Sequence, residues 1–168
     1  MTKIIASILA FLLWIFPNWS SLQNRYELLT FSWETTASNI VNAIEGGDIA
    51  ALEAMMCRNI KQNAVNLPSK IGELIDAIDG EIVDFTWETY GGLDANHGSG
   101  KSLSQRHLDI HFKTTSVDNY TFLIIWEYSN SFQLEEKGIR AIVLMQKTPP
   151  YTALADIRAT NGVGEWHE

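Results

Sequence analysis

The apolar positions along this chain change their period once, close to Gly80. Before Gly80 they recur every three or four residues, as on one face of an amphipathic helix, and after it they alternate, as in strands of a sheet. The chain therefore divides into a helical part and a sheet part. The helical part predicts three helices, which run from about Thr35 to Glu45, from Asp48 to between Cys57 and Asn63, and from Asn66 to Asp79.

The predicted helices end and begin at residues that stop or cap a helix. Gly46 and Gly47 end the first helix, because glycine adopts the left-handed conformation at low cost. Asp48 follows as a cap for the second helix, since its side chain can accept from free N–H groups of the first turn. Pro68 falls in the first turn of the third helix, where a missing N–H is tolerated.

Four runs after Gly80 show the alternation of strands, at about residues 81–90, 104–114, 119–129 and 138–147. No helix-length segment separates them, which excludes parallel crossovers and predicts an antiparallel sheet. The tail, residues 148–168, has little periodicity, and we expect at most one turn around Leu154 and Ile157. The sequence thus predicts an α+β domain over residues 35–147, with three N-terminal helices packed on a four-stranded antiparallel sheet.

The first residues have the pattern of an export segment. Lys3 precedes an apolar run from Ile4 to Phe16, and Pro17 ends it. A helix needs about 20 apolar residues to span a bilayer, so this shorter run fits the apolar region of a signal peptide. Because the cleavage motif is poor, residues 1–21 are either a signal peptide or an uncleaved membrane anchor. Both alternatives predict an extracytoplasmic protein, secreted or tethered to the cell membrane, with residues 22–34 as a connector.

Composition narrows the class of partner. The 168 residues carry a formal net charge of −8, and 46% of them are hydrophobic, as in a globular domain. An acidic chain without a basic stripe argues against nucleic acid and against anionic membrane surfaces. We therefore expect membrane contact through the N-terminal segment only. The single cysteine, Cys57, lies in an apolar helical stretch, which predicts a buried thiol rather than a nucleophile.

Three short runs carry a resemblance to a known family: Gly47 to Leu52, Ile78 to Val83 and Gly138 to Ile142. In these runs the chain resembles an uncharacterised family of exported bacterial proteins, which carries a domain of unknown function with the nuclear-transport-factor-two-like, or cystatin-like, fold. The resemblance implies a curved sheet around the helices, a cone-shaped pocket between them, and a possible homodimer formed through the sheet. Many members are lipoproteins, but this chain lacks the lipid-bearing cysteine. The family has no agreed catalytic residues, so the resemblance assigns none to this chain.

Three polar residues alternate along the second predicted strand and so share one of its faces. They are His107, Asp109 and His111, which stand opposite Leu108 and its apolar neighbours. Imidazole and carboxylate groups together can bind zinc or another divalent ion. A polar face that is merely solvated explains the same pattern. Both interpretations stay open, and these residues are the candidate metal ligands.

Aromatic and acidic residues of the strands supply a second set of candidates. Trp87, Tyr90 and Trp126 can line a ligand pocket, or they can simply fill the core. A strand carboxylate that faces such a pocket can act as an acid or base when burial raises its pKa. The candidate carboxylates are Asp84, Glu88, Asp109 and Glu127.

The function that these observations favour is binding without catalysis. We expect an exported bacterial domain that binds a small apolar ligand or a protein partner and needs no cofactor. The alternative is a small hydrolase or isomerase that uses a pocket carboxylate or a histidine. A carboxylate within hydrogen-bond reach of a histidine in a pocket would favour this alternative.

Overall fold

A computed structural model describes residues 31–92, 94–97, 101–117, 119–130, 136–146 and 152–158. The predicted export segment, residues 1–21, lies outside this described part, as does most of the predicted connector. None of the helices in the described part is both long enough and apolar enough to cross a membrane.

Four short helices form the first half of the described chain. Side chains cap the starts of two of them. As the sequence predicts, Asp48 caps the second, because its Oδ1 accepts a hydrogen bond from the N–H of Ala51 at 2.9 Å. Ser32 caps the first helix in the same way, through the N–H of Thr35 at 3.2 Å. The helices are α1 (Trp33–Glu45), α2 (Ile49–Met55), α3 (Arg58–Asn63) and α4 (Leu67–Asp76).

Six strands follow and form one antiparallel sheet in the described part. They are β1 (Ile82–Tyr90), β2 (Asp94–His97), β3 (Lys101–Thr114), β4 (Tyr120–Asn130), β5 (Gly138–Gln146) and β6 (Thr152–Arg158). The order across the sheet is β1-β3-β4-β5-β6. β2 pairs with the first residues of β3, on the same side as β1, so the six strands occupy five positions across the sheet.

The predicted arrangement of three helices on a four-stranded sheet is wrong, because the described residues form four helices and six strands. The second predicted helix is in fact two, α2 and α3. Between them Met56 is extended, with φ −71° and ψ 146°, and bridges to Ile139 of β5. The N–H of Cys57 donates to the carbonyl of Ile139 at 3.0 Å. Main-chain pairing with the sheet thus interrupts a segment whose apolar spacing is helical.

Two edge strands account for the difference in the sheet. β2 lies in a polar segment without alternation, and β6 lies in the tail for which we expected little structure. Both pair with longer neighbours, β3 and β5, whose free edges supply the hydrogen-bond partners. Within β6, Ile157 is buried, whereas Leu154 is exposed. Pairing with a formed neighbour therefore determines these strands more than their own patterns do.

The core lies between the helices and one face of the sheet. Its fully buried members have no exposed surface and come from both layers: Ile40, Leu52, Ile71 and Leu74 from the helices, and Leu108, Ile110, Phe122, Ile124, Ile142 and Leu144 from the strands. Cys57 joins them, as predicted, and burial raises the pKa of its thiol. A raised thiol pKa keeps the neutral, unreactive form at physiological pH.

The contact between Met56–Cys57 and Gly138–Ile139, which we call the junction, requires glycine at one position. Gly138 has φ +121°, a conformation that other residues rarely adopt. A Cβ atom at Gly138 would also overlap the carbonyl oxygen of Met55. The sheet and the helical layer can therefore approach each other this closely only because residue 138 has no side chain.

Gly138→Ala is expected to lower the free energy of unfolding by about 3 kcal/mol or more, because it combines a strained φ with overlap onto main-chain atoms. Gly47 is the matched control, since it has φ +61° but nothing within 4 Å of an added Cβ. Gly47→Ala should cost only about 1–2 kcal/mol. Urea denaturation measures both losses, and equal losses would contradict the close contact at the junction.

Candidate functional site

The first candidate site is a pocket between the helices and strands β4 and β5. Its volume is about 560 Å³, within the range of small-molecule sites. The start of α1, the end of α2 and the residues that lead into β5 enclose it. Its walls include Phe31, Thr35, Met55, Trp126, Glu127 and Lys137.

Trp126 forms the aromatic wall of this pocket. Its half-buried side chain packs against the core, and its ring centroid lies 6.0 Å from that of Phe31. Phe31 in turn meets Trp33 edge to face, with centroids 4.6 Å apart. The pocket therefore has an aromatic side made of rings from β4 and from the residue before α1.

Glu127 is a residue of the pocket wall, and its carboxylate is fully buried. Its Oε2 accepts hydrogen bonds from Arg140 Nη1 at 2.8 Å and from Gln105 Nε2 at 2.9 Å. The side chain of Glu127 has no exposed surface, and that of Arg140 is 16% exposed. A buried charge needs a partner of this kind, because desolvation otherwise makes it very costly.

Lys137 is the cationic residue of the pocket wall. Burial lowers the pKa of its ammonium group, because desolvation disfavours the charged form. The negative charge of Glu127 is balanced by Arg140. The pocket wall thus includes a partly desolvated ammonium group and a residue whose carboxylate is ion-paired.

The structure does not bring the three predicted pocket aromatics together. Trp126, on β4, lines the pocket. Trp87 and Tyr90 lie on the edge strand β1, which is separated from β4 by β3. Trp87 pairs with Ile110, on the core face, and remains 38% exposed. Tyr90 is three residues further along the strand and therefore lies on the opposite face.

The second candidate site lies on this opposite face. His111 Nε2 is 3.1 Å from Glu88 Oε1, and His111 Nδ1 is 2.9 Å from Thr121 Oγ1. The hydroxyl of Tyr90 lies 3.2 Å from both carboxylate oxygens of Asp109. Burial, followed by the charges of Asp109 and Glu88, raises the pKa of Tyr90 to about 12, so its hydroxyl remains a donor at neutral pH.

The predicted metal ligands are only partly grouped. Asp109 and His111 form a cluster with Glu88. Each of the three side chains has one possible ligand atom, and these atoms all lie within 4.8 Å of one another. His107 lies on the same face but stacks on Tyr90, with ring centroids 5.3 Å apart. The sequence names Glu88 as a candidate carboxylate but not as a metal ligand, because its place beside Asp109 depends on the pairing register of β1 with β3.

The sequence profile of one protein family, described as domain of unknown function DUF5104, matches residues 39–147, more than half of the 168 residues. The chain belongs to this family. The match begins inside α1 and ends just after β5, so it includes the junction and the second candidate site. The prediction of a family of unknown function is thereby confirmed. No curated protein matches the chain.

Arg140→Met is expected to lower the free energy of unfolding by about 3 kcal/mol, because it leaves the buried Glu127 without the guanidinium 2.8 Å away. Arg158→Met is the matched control. Arg158 pairs with Asp156 at 3.0 Å, but the two side chains are 44% and 47% exposed, so its loss should cost less than about 1 kcal/mol. Thermal and urea unfolding measure the loss of stability in both variants. A small loss in Arg140→Met, similar to that in Arg158→Met, would show that Arg140 does not compensate the charge of Glu127.

Proposed function

We propose that this domain binds a small molecule in the pocket beside Trp126 and performs no chemistry on it. The observation that carries the proposal is the pocket itself, about 560 Å³ in volume and open between α1, α2 and the sheet. The ligand has an aromatic or aliphatic body and one anionic group. The apolar body packs on Trp126 and Phe31, which are the rings that the pocket presents.

The anionic group follows from the charges around the pocket. Lys137 holds a partly desolvated ammonium group there, and an anionic group of the ligand is attracted to its positive charge. The first turn of α1, with Thr35 and Thr36, also lines the pocket and adds hydroxyl groups to its wall. Arg140 already neutralises Glu127, so that carboxylate repels an anion less than an unpaired one.

Binding is favoured over catalysis because no histidine is among the described residues that line this pocket. Glu127 belongs to the wall, but its buried carboxylate accepts hydrogen bonds from Arg140 and Gln105 and is not exposed to the pocket. The second candidate function, a small hydrolase or isomerase, is favoured by one observation on the other face. There Glu88 lies 3.1 Å from His111, within the reach that acid–base catalysis needs.

Fluorescence titration with 1-anilinonaphthalene-8-sulfonate, an aromatic anion, tests the binding proposal. Ala54 is an exposed residue of α2 that lines the pocket, so Ala54→Phe fills the space without deleting a core contact. We expect it to weaken binding about tenfold or more. Ala50→Phe, one turn earlier on the same helix and outside the lining, is the matched control and should leave the affinity unchanged.

The charge of the ligand is tested with Lys137→Met. This variant should bind the anionic probe about fivefold more weakly than the parent protein does. Its affinity for the uncharged analogue, N-phenyl-1-naphthylamine, should be unchanged. Circular dichroism checks that each variant is folded. Equal binding by the Ala54→Phe and Ala50→Phe variants would exclude this pocket as the binding site.

We propose further that the protein is exported, on the support of Lys3 and the apolar run from Ile4 to Phe16, and that it is bacterial, on the support of the resemblance described above. Residues 1–34 fused to alkaline phosphatase, which is active only outside the cytoplasm, should give an active enzyme in a bacterial host. Leu12→Arg places a charge in the middle of the apolar run and should abolish that activity. Equal activity of the two fusions would contradict export by this segment.

A further inference from the structure

The cluster on the outer face of the sheet has the composition of a metal site. Glu88 of β1 lies directly opposite Asp109 of β3, and His111 follows two residues later on the same face. Their possible ligand atoms, two carboxylate oxygens and an imidazole nitrogen, all lie within 4.8 Å of one another. We propose that Glu88, Asp109 and His111 bind one divalent first-row transition-metal ion of the Zn²⁺ type.

The first argument is the orientation of the histidine. Thr121 is fully buried on β4, and its Oγ1 lies 2.9 Å from His111 Nδ1. This contact fixes the ring so that Nε2 points to Glu88, at 3.1 Å. Metal-binding histidines are generally held in this way, with one nitrogen on the metal and the other on a neighbouring polar group.

The second argument is electrostatic. Glu88 and Asp109 are cross-strand partners, and two like charges at directly opposed positions destabilise a sheet. Asp109 is only 5% exposed, so water screens its charge poorly. A cation bound between the two carboxylates converts this repulsion into attraction. The hydroxyl of Tyr90 holds the Asp109 carboxylate in place from the far end of β1.

The donor set decides the class of ion. Mg²⁺ and Ca²⁺ prefer oxygen ligands alone, whereas an imidazole with two carboxylates suits Zn²⁺ and similar first-row ions. Three protein ligands also leave a coordination position for water. The proposal is independent of the pocket beside Trp126, because the cluster lies on the face of β3 opposite to Leu108 and Ile110.

Isothermal titration of the full chain, stripped with EDTA, measures binding of Zn²⁺, with Mg²⁺ as the comparison ion. We expect one Zn²⁺ per chain and much weaker binding of Mg²⁺. Glu88→Gln, Asp109→Asn and His111→Gln should each weaken Zn²⁺ binding about tenfold or more, as loss of a ligand requires. Thr121→Val keeps the side-chain volume and should weaken binding about tenfold by releasing the imidazole.

His107→Gln is the decisive control, because His107 shares the face but not the cluster. It should leave the affinity for Zn²⁺ within about twofold. Glu45→Gln, an exposed change on α1, controls for the general loss of negative charge. Circular dichroism confirms folding of every variant. Any of three results would overturn the assignment: no site that binds one Zn²⁺ per chain, equal Zn²⁺ affinity of the Glu88→Gln variant and the parent protein, or loss of Zn²⁺ binding in the His107→Gln variant.

Discussion

The structure depends on one main-chain hydrogen bond, from the N–H of Cys57 to the carbonyl of Ile139. It joins the helical layer to β5 through backbone atoms on both sides, whereas the core between the layers is held by side-chain packing. A further hydrogen bond, from the N–H of Asn59 to Glu136 Oε2, has a main-chain atom on one side only. Side-chain packing can adjust to small shifts, but a main-chain contact with Gly138 against the Met55 carbonyl leaves no room for an added atom. The distance between the two layers is therefore set at this point.

The same contact places the pocket. Because α2 ends at the junction and β5 begins there, Met55 and Gly138 become neighbours in the pocket wall. Trp126 and Glu127 belong to that wall as well, since they pair with Ile139 and Gly138 across β4 and β5. The fold thus produces two chemically different places: a partly apolar pocket near the junction and a carboxylate–imidazole cluster on the outer face of β1 and β3.

Features that depend on local periodicity alone are predicted correctly from the sequence. The change of period at Gly80, the cap at Asp48 and the buried Cys57 are all present in the structure. The predicted number of helices and strands is wrong, because pairing between distant segments decides it. Met56 belongs to a helical pattern but pairs with Ile139, and β6 forms against β5. A residue pattern contains no information about which distant strand offers a free edge.

The same distinction between local pattern and long-range pairing applies to the residues of the candidate sites. Alternation correctly places His107, Asp109 and His111 on one face, and it also separates Trp87 from Tyr90, which are an odd number of residues apart. The grouping of Glu88 with Asp109, and of Arg140 with Glu127, depends on register and bulges that no single segment specifies. Residues of one strand could therefore be assigned to faces, while partners from different strands could not.

Native-state hydrogen exchange at the amide of Cys57 tests most directly whether the junction holds the two layers together. If it does, this amide exchanges only when the whole domain unfolds, and its free energy of opening equals that of global unfolding in urea. The expected protection matches that of the central amides of β4. Exchange of Cys57 at the faster rate of the ends of α2, with the sheet still protected, would show that the helical layer opens separately and would contradict the central role of the junction.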